Sequence, residues 1–425
     1  MAITNNHAQA IMARLLGKLT TDQSAAMLSR KDLKTHPLPP RVPHAADWSQ
    51  AAWHQRRQLL EQRGISVDRL TEAAANTDCE NLQGNIENYI GMAQIPVGVV
   101  GPLRVNGSSA NGDFYVPLAT SEGALVASCQ RGALVAGMGG GITSICFTET
   151  VYRAPCFMFE SMVQAGKFLA WLLPSIDDLQ GVVQQTTSHG KLIDVKTSVV
   201  GKEVYLNFEY TTGDAGGQNM VTIATQKICE WIIDQSPVQP THWFVDGNLS
   251  GDKKATMQAF AYARGKKVVA EAIIPARLVK RFLHTDPAMM FRYWQVSAMG
   301  GVQSGSIGIQ GHYANPLAAM FIACGQDVAC VSEAAVGITR VDLTSDDDLY
   351  ISVALPNLIC GTVGGGTSLP TTRECLEMID CYGADKARKF AEICGAMVLC
   401  GELSIIGSMA AGDFAKAHEQ FGRKK

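Results

Sequence analysis

Residues 203–233 read EVYLNFEYTTGDAGGQNMVTIATQKICEWII. The β-branched and aromatic opening predicts a strand. From Gln218 the apolar residues return at helical spacing, so a helix is expected over about 218–235. The join carries Asp214 and Asn219 at either end of a glycine pair, Gly216 and Gly217. Backbone N–H groups and the dipole at a helix start attract phosphate, and glycines let a pyrophosphate approach the backbone. A plain Asp-capped helix behind a glycine turn fits the same letters.

The neighbouring segments decide the fold. PCFMFE (155–160) reads as a strand and SMVQAGKFLAWLL (161–173) as a helix. KLIDVKTSVVGKEVYLNFEY (191–210) reads as two strands meeting near Gly201 and Lys202, and THWFV (241–245) as a last strand. The order is βαββαβ, the split ferredoxin-like arrangement. The expected fold class is therefore α+β. A smaller ferredoxin-like domain, 155–246, is inserted in a larger domain formed by 76–154 and 247–425.

Residues 1–75 form a separate N-terminal helical segment. Helices near 7–18 and 47–63 flank the breaker HPLPPRVPH, a docking arm or small cap. In the larger domain, ENLQGNIENYIGMAQIPVGVVGPLRVNG (80–107) suggests loops and brief strands. TSEGALVASCQRGALVAGM (120–138) is a helix of small residues suited to a close neighbour, with Thr120 or Ser121 as cap and Glu122 in its first turn. Further helices are expected at 285–297, 313–334 and about 384–419, and strands near 335–343, 348–356 and 357–363.

Composition narrows the class. The chain has 425 residues, 47% hydrophobic and 18% charged, with a formal net charge of −3. That describes a folded, enzyme-sized protein, and gives no long-range attraction for nucleic acid or a membrane surface. Twelve cysteines occur without a C-x-x-C pair or zinc-like spacing. They read as reduced, buried thiols of a cytoplasmic protein, and no metal is expected. No run of 18 apolar residues is present, so no membrane span is expected.

Several polar clusters stand out. GTVGGGT (361–367) and GMGGG (137–141) are glycine clusters without the G-x-G-x-x-G spacing, so each is either a tight turn or a dinucleotide loop. DGNLSGDKKA (246–255) is a solvated loop, or it holds a lysine inward to stabilise an oxyanion. Asp327 falls inside an apolar helical run, FIACGQDVAC, where a buried acid requires a partner. His418 lies in a polar, basic tail that would suit a closing flap.

The order of these motifs is more telling than any one of them. ENYIGMAQIPVGVVGPL, ATSEGALVAS, GDAGGQNM, GDKKA, GQD, GTVGGGT and AAGDFAKAH closely resemble, in the same succession over about 80–425, the catalytic portion of the 3-hydroxy-3-methylglutaryl-CoA (HMG-CoA) reductases. The resemblance is to the branch shared by eukaryotes, archaea and some bacteria. It implies a large domain built around a central helix and a four-electron reduction of HMG-CoA to mevalonate and CoA, with two NADPH, or NADH, as hydride source. Lys253 matches the lysine that stabilises the oxyanion. His418 matches the histidine that protonates the CoA thiolate, and Glu122 the general acid of aldehyde reduction. Asp327 matches the aspartate that links acid and lysine. Arg153, Asp252, Lys254 and Asn315 match residues around the hydroxymethylglutaryl group, and Ser128 and Arg131 positions near CoA. Asp214, Gly216, Gly217, Gln218 and Asn219, with Ser188, Val363, Gly364 and Gly365, match the dinucleotide site. The family also implies a homodimer or homotetramer with its active site between subunits.

Some positions depart from the family. Gly216 and Gln218 replace two methionines of its D-A-M-G-M-N turn. Gln295 stands where a substrate-binding lysine is usual, with Arg292 nearby. SHG (188–190) replaces a Ser-Arg-Phe stretch, leaving His189 or Lys191 to meet a 2′-phosphate. The tail ends in GRKK without the phosphorylatable serine of eukaryotic enzymes.

Overall fold

The computed structural model describes residues 94–415 except 188, together with 9, 11–13, 16–17, 19–43, 55, 58–66 and 85. Most of the two expected N-terminal helices, like Ser188 and His418, lies outside these residues. Within the segment, a helix the sequence reading missed, α1 (Thr21–Leu28), starts at Thr20 with a reciprocal cap. The Thr20 hydroxyl accepts from Gln23 N–H, and the Gln23 side chain accepts from Thr20 N–H. The proline-rich stretch after it is a strap. Buried Arg104 donates to the carbonyls of His36 and Pro37 while forking onto Asp113 at 2.8 and 2.9 Å.

The fold is a mixed α+β architecture on one long strand. β3 (Ile142–Arg153) pairs antiparallel with β8 (Gly265–Ile274) through residues 143–150, and its last three residues pair with β6 (Glu203–Thr211). One strand therefore serves two sheets. On the first side lie β1 (Val97–Gly107) and β2 (Asn111–Ala119), then β8, β11 (Leu349–Leu358), β10 (Gly337–Leu343) and the two-residue β9 (Gly308–Ile309). On the second side β5 (Lys191–Val200), β6, β4 (Cys156–Met158) and β7 (His242–Phe244) run antiparallel in the order β5-β6-β4-β7. Helices α3 (Met162–Leu172), α4 (Ile176–Gln184) and α5 (Gln218–Gln235) belong to this second side. Aromatic rings pack its core, Phe168 lying 4.9 Å from Phe159 and 5.4 Å from Phe157.

The core of the larger part is α9 (Ala387–Ala411). It is buried without a break from Phe390 to Ser404, as its all-round apolar sequence requires. Among the described residues it is the one helix long and apolar enough to cross a membrane, and 83% of its most apolar stretch is buried inside the protein. Helix α2 (Leu125–Met138) crosses it at Gly132, where a Cβ would stand 2.0 Å from the carbonyl oxygen of Cys400. The small-residue reading of this helix rests on that approach. Two acids in α9 are buried yet satisfied. Glu392 accepts from the N–H groups of Ser109, Ala110 and Cys146, and Glu402 from those of Gly311 and His312.

Several expected elements change. α2 begins at Leu125, not at residue 120; Ala124 precedes it at φ 73° and no side chain caps it. The Thr120 hydroxyl instead accepts from Glu122 N–H, so Glu122 stands before the helix. The expected helix 313–334 breaks into α7 (Ala314–Ala323), a turn, and a short helix α8 (Val331–Ala334). Gly325 turns the chain at φ 65°; the Gln326 N–H reaches back to the Phe321 carbonyl at 2.9 Å, and its side-chain amide donates to the Cys324 carbonyl. Strands expected at 348–356 and 357–363 are one strand and a loop. Helix α6 extends over Pro287–Ser304, with Asp286 as its side-chain cap. The eleven described cysteines are all buried.

Candidate functional site

Two groups of polar residues, on different elements, draw the predicted positions together. The first surrounds the loop 250–254. Lys253 takes φ 54°, a left-handed backbone that costs a non-glycine residue about 1–2 kcal/mol. Its N–H donates to Oε1 of Glu333 at 3.0 Å. A hydrogen bond to an ionised group contributes about 1.5–3 kcal/mol, enough to hold the strained turn. Its ammonium reaches Oδ2 of Asp327 at 2.8 Å. That hydrogen bond holds the Lys253 pKa above the ordinary lysine value, against the opposing effect of partial burial.

Asp327 is not buried in a helix. It opens the turn after Gly325, accepting from Ala329 N–H at 3.0 Å, and its side chain is 45% exposed. Below the lysine lies a chain of buried charge. Arg264, 2% exposed, pairs with fully buried Glu333 and, at 2.9 Å, with Oδ1 of Asp252. The other oxygen of Asp252 receives Arg153 at 3.1 Å, and Arg153 also binds Asp246 at 2.6 Å. Lone buried charges cost several kcal/mol each, and here every carboxylate meets a guanidinium. Lys254 is exposed and turns back onto the carbonyl of Asp252 at 2.8 Å.

The second group lines a cleft of about 470 Å³ at the start of α2, containing Glu122, Ser128, Arg131, His312, Asn315 and Ser408. Both oxygens of Glu122 accept from the Asn315 amide, at 3.0 and 2.8 Å. Ser128 and Arg131 meet on Ser404 of the core helix, at 2.8 Å from the Ser128 hydroxyl and 2.9 Å from an Arg131 Nη. Desolvation lowers the Arg131 pKa, opposed by Asp413. His312, which the sequence reading passed over, is oriented by buried Glu402 at 3.2 Å. Burial tends to raise the Glu402 pKa, but hydrogen bonding to His312 and its other donors bring it below the ordinary glutamate value. An acid inside the apolar run of α9 was the available sequence signal for this pair. No hydrogen bond or ion pair joins the Glu122 group to the Lys253–Asp327 group among the described residues.

The opening glycine turn has a third setting. Its acid does not cap its own helix: the Asp214 carboxylate accepts from the N–H groups of Asp385, Lys386 and Ala387, at 2.7, 3.1 and 2.9 Å. It thus closes the start of the core helix α9. The Asp214 carbonyl accepts from Thr362 N–H at 2.8 Å, and Ala215 bridges Val363. A Cβ on Gly361 would stand 2.5 Å from the nitrogen of Gly216, so the two glycine loops touch only because Gly361 lacks a side chain. The GQD turn joins them, its Gln326 accepting from Gly361 N–H at 2.8 Å. Buried Lys266 donates behind both loops, to the carbonyls of Cys360 at 3.2 Å and Gly213 at 3.5 Å. GMGGG, by contrast, is a tight turn closing α2, with Gly139 as its C-cap.

This arrangement suits an anion. α5 starts behind Gly217, at φ 79°, with no side-chain cap. Asn219 is exposed in its first turn, and added Cβ atoms at Gly364 and Gly365 would meet open space. Backbone N–H groups at such a start can receive phosphate oxygens. Gln218 reaches sideways, its amide lying 2.7 Å from Sγ of Cys330 beside the Asp327 turn.

A family model described as hydroxymethylglutaryl-coenzyme A reductase matches residues 52–423. Among curated proteins, 3-hydroxy-3-methylglutaryl-coenzyme A reductase of Methanocaldococcus jannaschii is 42% identical over 381 residues, 88% of this chain and 94% of the relative. The protein of the same name from Pyrococcus horikoshii is 42% identical over 377 residues, 87% of this chain and 91% of that one. Among solved structures, the class II 3-hydroxy-3-methylglutaryl-CoA reductase of Streptococcus pneumoniae, bound to NADPH in open conformations, superposes with a TM-score of 0.69 at 16% identity. The match covers 84% of this chain and 97% of that one, and is a likeness of fold.

Proposed function

The chain belongs to the hydroxymethylglutaryl-coenzyme A reductase family, and on that premise we propose that it reduces (S)-3-hydroxy-3-methylglutaryl-CoA to (R)-mevalonate and free CoA at the expense of two NAD(P)H, a step of isoprenoid synthesis. The carrying observation is the Lys253–Asp327 pair, a cation fixed on a strained loop beside the two glycine loops.

The bound nicotinamide cofactor supplies a hydride in each of two rounds. In the first, Lys253 meets the negative charge that develops on the thioester oxygen. One such group contributes about 3–4 kcal/mol of barrier lowering. The tetrahedral adduct then breaks its C–S bond, and His418 gives a proton to the departing thiolate. In the second round the aldehyde carbon takes hydride and its oxygen takes a proton from Glu122. Arg153, Asp252, Lys254 and Asn315 hold the acyl portion in this reading. In support, Arg153 has a buried Nε without a partner among the described residues. Ser128 and Arg131 face CoA. The turn 214–219, Ser188 and 363–365 hold the dinucleotide. Asp214 does so by fixing the turn to α9, since its carboxylate is already committed to that helix.

The same reading takes 155–246 as an inserted ferredoxin-like domain, supported by the antiparallel order β5-β6-β4-β7. It takes 76–154 with 247–425 as the catalytic domain, and 1–75 as an N-terminal segment strapped to it. It also takes the active unit as a homodimer or a larger homo-oligomer in the cytoplasm. Two observations favour assembly. Glu122 and Asp327 share no hydrogen bond or ion pair among the described residues. In addition, α6 presents Val296, Met299 and Val302, 58–67% exposed, along one face. In this reading Asp327 of a second copy faces Glu122 across the interface between subunits.

The test is steady-state NAD(P)H oxidation with a panel of acyl-CoA thioesters, using NADPH and NADH side by side. Preference for the hydroxymethylglutaryl ester with release of mevalonate supports the reading. Preference for another ester would assign a different acyl group, for which exposed Gln295 is the position to inspect. No turnover with any ester would leave a binding homologue.

A further inference from the structure

We infer that Glu333 and Arg264, neither of which lines the cleft, are positioning residues for Lys253, locking the Asp252–Lys253 backbone in the conformation that aims the lysine ammonium at Asp327. The inference rests on the role given above to Lys253 and adds to it the device that sets its direction.

The geometry carries it in four contacts. Glu333 is fully buried and gives one oxygen to the Lys253 N–H and the other to Arg264. Arg264 gives its second terminal nitrogen to Asp252. Its own N–H donates to the side chain of Asn357 at 2.8 Å, fixing the start of β8 against the end of β11. Asp252 and Lys253, consecutive in the chain, are thus gripped from below by one buried ion pair, one through its side chain and one through its backbone.

What Glu333 does not touch matters as much. It bonds the lysine backbone and leaves the ammonium to Asp327. A counter-ion for Lys253 would do the reverse. Lys253 sits at φ 54°, where a lysine does not rest unaided. Exchanging one carboxylate oxygen for an NH2 group, as in Glu333→Gln, leaves the Lys253 N–H and Arg264 competing for a single acceptor without its charge. The grip on the loop loosens, that φ relaxes and the Cα–Cβ bond turns, which carries the ammonium off Asp327. The other groups facing the lysine are Asp252 and Cys330. Asp252 is held by two arginines, and burial pushes the Cys330 thiol far up, so neither replaces Asp327 as partner.

The experiment uses the full chain, wild type and Glu333→Gln. Reductive methylation with an isotope label lets each lysine be titrated by NMR, and the Lys253 signal is the one absent from Lys253→Arg. In Glu333→Gln the Lys253 signal should titrate at lower pH than in wild type. In parallel, kcat should fall about ten-fold while KM for the acyl-CoA changes less than about two-fold. A merely structural pair would lower Tm and leave both the titration and kcat at wild-type values, and that result would overturn the inference. Should Glu333→Gln fail to fold, Arg264→Lys takes its place, since one ammonium cannot span Glu333 and Asp252 as the guanidinium fork does. If the wild type reduces no thioester, the functional reading fails, while the titration still decides the positioning claim.

Discussion

The ammonium of Lys253 stands 2.8 Å from Oδ2 of Asp327, and both side chains keep more than two-fifths of their surface open to solvent. The pair is formed yet accessible, as the role proposed for Lys253 at a substrate oxygen requires. Lys253→Ala should therefore reduce NAD(P)H oxidation with the CoA substrate by about 10²–10³-fold or more. Circular dichroism and Tm should stay near wild type, because an exposed ion pair contributes little to stability. Full activity in this variant would remove Lys253 from the mechanism.

The same pair predicts a pH effect. Its hydrogen bond to Asp327 raises the Lys253 pKa, so the charged form persists to higher pH than in a free lysine. Activity that depends on that charge declines only as pH climbs through the raised value. Asp327→Asn removes the chief cause of the shift, so the alkaline limb of kcat should move to lower pH. The profile in saturating substrate checks this, and an unmoved limb would contradict the assignment.

Asp214 joins two parts of the chain that are far apart in sequence, its carboxylate sitting on the first N–H groups of α9. Asp214→Ala should cost about 0.5–2 kcal/mol of stability, the range for a lost helix cap. Because the same residue anchors the glycine turn, KM for NAD(P)H should rise more than KM for the acyl-CoA. Denaturant unfolding and two-substrate kinetics separate these effects. A variant as stable as wild type would show that the cap contributes nothing.

That contact also marks what the sequence could and could not convey. Periodicity located α3, α5 and most of α2, because an apolar stripe is a local property. The glycine turn was visible as a turn, but its letters could not say that Asp214 caps a helix some 170 positions later. The run 313–334 misled for a related reason. It is apolar throughout, and Gly325 alone signals the break that exposes Asp327. Glu333 and Arg264 were missed altogether, since a buried ion pair 69 residues apart leaves no spacing to read. Motif order, not local pattern, drew attention to Lys253 and Glu122.

The proposed reaction has His418 protonate the CoA thiolate, a task that arises only when a thioester is cleaved. His418→Ala should impair reduction of HMG-CoA far more than reduction of free mevaldehyde. Parallel assays with the two substrates decide the matter. Equal losses would mean that the histidine serves binding or folding instead.

Glu122 and Lys253 belong to groups that share no hydrogen bond or ion pair among the described residues, which leads to a prediction about assembly. If a site takes its acid from one subunit and its lysine from the other, Glu122→Gln and Lys253→Ala each abolish activity alone. Reassorted into mixed dimers, they give one site with both groups replaced and one site with both intact. Each mixed dimer keeps one intact site of two, so the mixed species should show about half of wild-type activity. If both residues served one site from the same chain, every site in the mixed dimer would lack one of them, and no activity would return. Co-expression under two affinity tags, with assay of the doubly tagged species, distinguishes the two cases. Charged substitutions on the exposed α6 face, such as Val296→Glu with Met299→Glu, should abolish the recovery by preventing association, which sedimentation would register directly.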